Sequence, residues 1–476
     1  MERGYRVRAL ARRPQRLKGR AWFRQVEVVA GDVMLPSTLS AAMEGVDTAY
    51  YLVHNMSSGC GYTEKELDGA RNFASAAQSA GLQHIIYLGG LADPRVKIAA
   101  HMRSRIETGV TLRKGRVPVT EFRAGVIIGP GSISFEMIRF MTELLPIVPG
   151  PVWMRNKSQP IAVQNVLDYL LAALDNLNGH GQVFEIGGPD QMIYSQLMLE
   201  YARLRGLKRM MITLPYIPLW FMAFGVGLTT PVPSRIAYAL IDGLQSDSRV
   251  QESTTPKVFP TVKLISFHEA VTSALAKLHP RHLEPVWTDG QRPSVRLMSE
   301  GFFINHRTLR VEAPPEAVWR ALTDLGNSLD SYRVESFIPN SSLLLRSNRK
   351  APGAGWLEWQ VEADGAGTRL TQTVYFAPRG LPGFVYWYGL SPFREVGLRG
   401  LVRKIARRAH LLIRHRTIAH QAVFILLNLY PGGRYVPVHG FVFWRIILCV
   451  AGRLSLGLCQ PATPGGEPGH GDRRRC

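Results

Sequence analysis

The sequence predicts an α/β chain: a doubly wound parallel sheet, followed by an α+β domain. Three observations predict it. From Tyr5 to Ile128 short apolar strands alternate with helices, the order that builds a parallel sheet with right-handed crossovers. The stretch His101 to Ile128 reads as a helix, a turn and a strand that is apolar on both faces except near Glu121 and Arg123, as a central parallel strand is. Beyond Leu309 the pattern changes to closely spaced strands closed by a helix.

The 476 residues are enough for two or three domains, and 46% hydrophobic with 20% charged residues describes an ordinary folded chain. The net charge is +21 and the pI about 10.1. Between Arg399 and Arg475 bases are frequent and the only acids are Glu467 and Asp472. Such charge suits nucleic acid, an anionic membrane surface or an anionic cofactor. No basic patch carries interleaved aromatics, which argues against nucleic acid. Cys60, Cys449, Cys459 and Cys476 have no metal-ligand spacing, so no metal site is expected and the chain fits a reducing cytoplasm. The polar, basic N-terminus has no apolar core segment of a signal peptide.

In order, Arg3-Gly4 reads as a helix end and Tyr5–Leu10 as a strand, with Arg12-Arg13-Pro14 directly after it. A short strand, Val26–Val29, leads to the turn Gly31-Asp32. A helix spans Pro36–Met43, a strand Thr48–Val53, a loop Asn55–Gly61 and an amphipathic helix Glu64–Ala80 capped by Gly81. His84–Leu88 is a buried strand ending in Gly89-Gly90. In the next helix His101, Arg105 and Thr108 share a face, Gly115-Arg116 ends it, and Pro118 forces an extended exit. A basic pair one turn apart beside a parallel sheet suits a redox site; a solvated helix face is the plain alternative. Phe135–Leu145 and Val166–Leu174 read as helices, and Val183–Ile186 as a strand. Leu214–Leu228 is apolar but broken by Pro215 and Pro218. It suits a substrate lobe better than a bilayer span of ~20 apolar residues, and its composition suggests a lipid-like, isoprenoid or quinone-type ligand.

The ordered runs A-L-A-R-R-P, G-D, Y-Y-L-V-H-N-M, Y-L-G-G-L, H-M-R-S-R and E-F-R-A-G-V-I-I-G-P-G carry a resemblance. Over about residues 1–290 the chain resembles an atypical short-chain dehydrogenase/reductase, of the bacterial subgroup with His-x-x-x-Arg in place of Tyr-x-x-x-Lys. The resemblance implies a Rossmann-like sheet and NADP as cofactor, with NAD as the alternative. It implies His101 as general acid and Arg105 as ribose anchor, or else a domain that binds NAD(P)H without catalysis. Arg12 and Arg13 fall where the 2′-phosphate of NADP would bind, Asp32 and Val33 at the adenine-contacting turn, Leu52, Val53 and His54 at a strand end on the cofactor side, and Gly89 and Gly90 at the nicotinamide ribose. Plain alternatives are a solvated loop for Arg12-Arg13, a helix-entry residue for Asp32, a structural role for His54 and a simple turn for Gly89-Gly90. The sequence opens after the family's first strand and its Gly-x-x-Gly-x-x-Gly turn. The sheet is therefore expected to lack its first strand, with an upstream start or a fragmented chain as the reason and weak dinucleotide binding as the result.

His282–Ser299 reads as a linker. After it come a strand at Leu309–Val311, a helix opened by Pro314-Pro315, strands Ser342–Arg346, Gly355–Ala363 and Thr368–Phe376, and a helix Phe393–Arg408. The runs A-P-P-E-A-V-W, W-L-E-W-Q-V and G-T-R-L-T-Q-T-V-Y-F-A-P-R-G-L resemble helix-grip, START-like domains, which hold apolar ligands, although a longer aromatic insert is expected between Leu325 and Ser342. The expected domains are 1–290, with a substrate lobe at 176–290, then 301–410, then a basic apolar tail at 411–476 whose last residues, Pro461–Cys476, have a disordered composition. The expected function is a cytoplasmic NAD(P)H-dependent oxidoreductase acting on a small apolar substrate. Its rival is a non-catalytic NAD(P)H- or lipid-binding scaffold, peripheral to a membrane through the basic C-terminal region.

Overall fold

The computed structural model describes residues 3–54, 61–251, 254–283, 294–326 and 331–429, without the side chains of 294–296, 325–326 and 414–429. All four cysteines, the loop 55–60, most of the expected linker and residues 430–476 lie outside the described residues.

The first strands are β1 (Arg8–Ala11) and β2 (Glu27–Ala30), followed by helix α1 (Ser37–Met43). Next come β3 (Thr48–Tyr51), α2 (Tyr62–Ser79), β4 (His84–Gly90), α3 (Ala100–Arg113) and β5 (Val119–Ala124). β6 (Ile127–Ile128), α4 (Ile133–Leu144), β7 (Ile147–Pro151), β8 (Lys157–Ser158), β9 (Ile161–Ala162), α5 (Val163–Ala172) and β10 (Val183–Ile186) continue the chain. The remainder of this half is β11 (Met192–Ile193), α6 (Tyr194–Leu204), β12 (Met210–Leu214), α7 (Leu219–Thr229), α8 (Ser234–Gly243), α9 (Thr255–Val258) and α10 (Phe267–Ala276).

The main sheet runs β10-β5-β4-β3, all parallel. β1 and β2 pair parallel with each other in a separate piece, and among the described residues no strand joins β1 to β3. Among the described residues the β1–β2 pair and the four-stranded sheet are thus separate pieces. Both faces of the larger piece are covered. Ile85, Tyr87 and Val119 pack with Phe73 and Ala77 of α2 on one side, while Ile86, Phe122 and Phe184 pack with Val166 and Leu170 of α5 on the other. Successive strand residues point to opposite faces, so only a near-continuous apolar strand satisfies both layers.

One expected strand is shorter than the sequence suggests. β5 stops at Ala124, and Ile127-Ile128 pairs instead with β9. The chain breaks at Gly125, where a Cβ would lie 2.1 Å from the Gln159 carbonyl oxygen. Glu121, fully buried in β5, is bonded by Arg123 at 2.7 Å and paired with Arg113. It fills the space left by Gly109 of α3, whose added Cβ would fall 2.2 Å from a Glu121 oxygen.

The second half is a six-stranded antiparallel sheet. Its strands are β13 (Ser294–Ser299), β14 (Phe302–Val311), β15 (Tyr332–Ile338), β16 (Ser342–Ser347), β17 (Gly353–Asp364) and β18 (Gly367–Pro378), in the order β13-β14-β18-β17-β16-β15. Helices α11 (Pro315–Gly326), α12 (Gly380–Gly389) and α13 (Ser391–Leu429) complete it. Trp359, Leu370 and Val361 pack with Val318 and Leu322 of α11 and Ile405 of α13. Three expectations change. The end of the expected linker is β13, hairpinned to β14 through Glu300 and Gly301, whose φ values of 49° and 85° make the tight turn. β15 occupies the place of the expected insert, and α13 runs past Arg408 to Leu429.

Helix α4 joins the halves. Its Glu136 accepts from the Gly301 backbone N–H at 2.8 Å, and its Glu143 from the Gly380 N–H at 2.7 Å. Glu143 also holds Arg205 at 2.6 Å and the Tyr201 hydroxyl at 2.9 Å. Between the two carboxylates Phe140 meets Phe303 and Phe384 edge-on. Burial pushes the Glu136 carboxyl upward, and Arg139 and the Gly301 N–H oppose it.

Candidate active site

A cavity of about 1110 Å³ opens at the C-terminal ends of β4 and β5, where ligands collect in open parallel sheets. It is larger than the ~300–1,000 Å³ usual for one small ligand. His54, Gly89, Gly90, His101 and Arg105 line it at the sheet end.

His101 sits in the first turn of α3, 5% exposed. Gly243 of α8 makes room for its ring: a Cβ there would lie 2.6 Å from His101 Cε1. The ring nitrogen Nδ1 is buried with no hydrogen-bond partner among the described residues. Burial, then the Arg105 charge, lowers the imidazole to about 4, so it is neutral at neutral pH. One turn on, the Arg105 guanidinium donates to His54 Nε2 at 3.0 Å, and Tyr87 Oη donates to the Arg105 backbone oxygen at 2.9 Å. His54 is lowered to about 4 by desolvation of its inner face and then by Arg105, although its outer edge is exposed. Beneath them the buried Glu66 accepts from Ser104 and supplies negative charge toward Arg105.

The two glycines have packing reasons. A Cβ on Gly90 would lie 2.7 Å from Met102 Cε and 3.1 Å from Arg105 Cδ, and one on Gly89 would lie 3.2 Å from Tyr87 Cε1. The other sequence-derived positions do not line the cavity. Asp32 Oδ1 accepts from the Met34 N–H at 3.0 Å, the helix-entry role. Val33 is buried in the core, with Val53 packed against it, and Leu52 is exposed. Arg12 and Arg13 are exposed just beyond β1 and make no ion pair among the described residues.

Away from the sheet the wall is apolar and rich in methionine: Met137 and Met141 of α4, Met198 of α6, Met222 and Val226 of α7, and Met154 beside Trp153. Methionine makes a wall that adapts to bulky apolar ligands. Tyr194 also lines the cavity, its phenol pushed up to about 12 by burial. Ser299 and Glu300, in the β13–β14 turn, bring the second half to the same cavity. Sequence reasoning missed Tyr194, Glu300 and the methionines. Only the i, i+4 spacing of Met137 and Met141 signalled a shared face.

Three features fit a nicotinamide dinucleotide: the exposed cations Arg12 and Arg13, the glycine strand end, and the His101 nitrogen in the cavity that has no hydrogen-bond partner among the described residues. Among the described residues there is no cluster of metal-ligating side chains.

Residues 1–103 match the family described as NAD(P)H-binding, so a nicotinamide dinucleotide is the cofactor of this domain. Residues 305–401 match a family described as a protein of unknown function, DUF2867. No curated protein matches the chain. Among solved structures, the triphenylmethane reductase of Citrobacter sp. complexed with NADP(H) is 18% identical, with a TM-score of 0.45, over 56% of this chain and 90% of its own. An NADPH-dependent quinone oxidoreductase from Escherichia coli complexed with NADPH is 18% identical at a TM-score of 0.46, over the same 56% and 90%. The UDP-glucose 4-epimerase of Thermotoga maritima is 13% identical at 0.43, over 58% and 93%.

Proposed function

We propose that this protein is an NADPH-dependent oxidoreductase that reduces a bulky apolar carbonyl or quinone. The observation that carries the reading is one cavity whose sheet end holds His101 and Arg105 and whose opposite side is largely apolar and includes several methionines. Bound reduced nicotinamide supplies a hydride; the reduction adds it to the substrate and requires one proton at the substrate oxygen. His101 takes up a proton from solvent and, as the imidazolium, delivers it to that oxygen and returns to the neutral ring. Arg105 keeps its charge, orients His54 and stabilises negative charge developing on the substrate oxygen, since a guanidinium does not give up its proton. Arg12 and Arg13 bind the 2′-phosphate, with NADH as the weaker donor. The methionine wall excludes water and holds the apolar body of the substrate.

The test is NADPH oxidation with a series of alkylated naphthoquinones, alongside NADPH binding by fluorescence. His101→Ala should lower kcat/KM by about 10²- to 10⁴-fold and leave NADPH affinity within threefold. Tyr194→Phe should cost less than about tenfold, because in this reading His101 and not the Tyr194 phenol gives the proton. Equal losses from the two variants would move the proton donor to Tyr194. NADPH binding without turnover of any quinone would favour the non-catalytic scaffold. If the protonated ring is the acid, kcat/KM rises as pH falls toward about 4 and levels off below it.

A further inference from the structure

Helix α7 has two faces with different uses. Its inner residues Met222 and Val226 line the cavity. Its outer residues Trp220, Phe224 and Leu228, spaced four apart, are 66%, 58% and 68% exposed, and Phe221 lies beside them at 57%. Tyr216 extends the patch just before the helix, and Met210 and Ile212 of the edge strand β12 before that. Large apolar side chains gathered on one helix face do not occur by chance on a soluble surface.

The chemistry around the patch selects its partner. From Met210 to Ser234 there is no charged residue, and the run is bracketed by Lys208-Arg209 and Arg235. Lys208 and Arg235 are exposed and make no ion pair among the described residues. Between Tyr201 and Ile241 the chain has five bases and no acid. Aromatic rings flanked by unpaired cations suit the interfacial layer of an anionic bilayer, where tryptophan and tyrosine settle and lysine and arginine meet phosphate. The helix has 11 residues, about 16 Å, and prolines 215, 218, 231 and 233 interrupt the run around it. It can lie in that layer but cannot cross the membrane, and no described helix is long and apolar enough to do so.

We infer that α7 docks on anionic membrane surfaces and that the protein takes its apolar ligand from the bilayer through the wall α7 forms. Docking stands independently of the reductase reading; only the use of the entering ligand as a substrate rests on it. The two are separated because docking is read without turnover.

The experiment is co-sedimentation of the full chain with 100-nm vesicles of phosphatidylcholine alone or with one quarter phosphatidylglycerol, and quenching of tryptophan by brominated lipid. The parent protein should pellet with anionic vesicles, release as salt rises, and be quenched. The Trp220→Ser/Phe224→Ser variant alters only exposed side chains and should fold normally. It should bind at least tenfold more weakly, lose the quenching, and keep NADPH affinity. Binding undiminished in the variant would place any membrane contact in the C-terminal tail and overturn the proposal. Absence of vesicle binding, with self-association that the variant abolishes, would overturn it in favour of a second copy of this chain on the patch.

Discussion

The two sheets of this chain are built to opposite ends. The parallel sheet comes in two pieces among the described residues and keeps a cavity of about 1110 Å³ at its strand ends, with several methionines in its wall. The antiparallel sheet is continuous over six strands, and its inner face is filled by Trp359, Leu370 and the side chains of two helices. One half leaves packing incomplete where a ligand belongs. The other completes its packing and, among the described residues, reaches the cavity through the turn at Ser299-Glu300. Binding sites are concave because side chains there have not closed on one another, while stability comes from places where they have.

The contrast can be broken by substitution. Trp359→Ala should cost about 3–5 kcal/mol in denaturant melts, because a fully buried indole leaves a cavity that a continuous sheet cannot close. A cost below about 1 kcal/mol would mean that the second half is as loosely packed as the first. Glu143→Leu should come next, at about 3 kcal/mol, since it strands the Arg205 guanidinium and the Gly380 N–H. It should merge or reorder the unfolding transitions of the two halves, and a single unchanged transition would count against α4 as their joint.

Acid should act mainly on the first half. His84 and His101 are buried with imidazoles lowered from 6.5 to about 4. Between those values the unfolded chain binds protons that the folded chain refuses, so stability falls as pH drops from about 6.5 to 4. The slope is at most ~1.4 kcal/mol per pH unit for each group. His306, in the second half, is moved the same way by burial. A melting temperature flat across that window would show that the rings are not neutral in the fold. The smallest effect should be Met222→Leu, below about 1.5 kcal/mol, because a cavity wall tolerates a change of shape. It should alter the selectivity among quinones more than it alters stability.

Much of the parallel half was legible in the sequence, since strands buried on both faces must be apolar throughout, and His101 and Arg105 were marked by their spacing on α3. What escaped had physical causes. Glu136, Arg139 and Glu143 of α4 have the composition of a solvated helix face, yet all three are buried, with partners that are distant in sequence, such as Gly301 and Gly380. Helix α12 has no counterpart in the sequence reading; it opens on Gly380 with Pro382 in its first turn, where proline is tolerated. Gly90 lines the cavity as its place at the strand end suggests, and it also has a packing reason that the sequence does not show, since a Cβ there would meet Met102 and Arg105. Asp32 and Val33 sit at the expected turn with their side chains committed to a backbone N–H and to the core.

Helix α4 also bears on how this chain is inherited. One side of it, Met137 and Met141, shapes the cavity, and the other, Glu136, Phe140 and Glu143, is the seat of the second half. A lineage that lost the second half would expose a phenylalanine and two carboxylates adapted to burial, and one that reshaped the cavity through α4 would disturb the seat. A recombinant that grafts another C-terminal half onto residues 1–290 should come out insoluble unless that seat is matched to it.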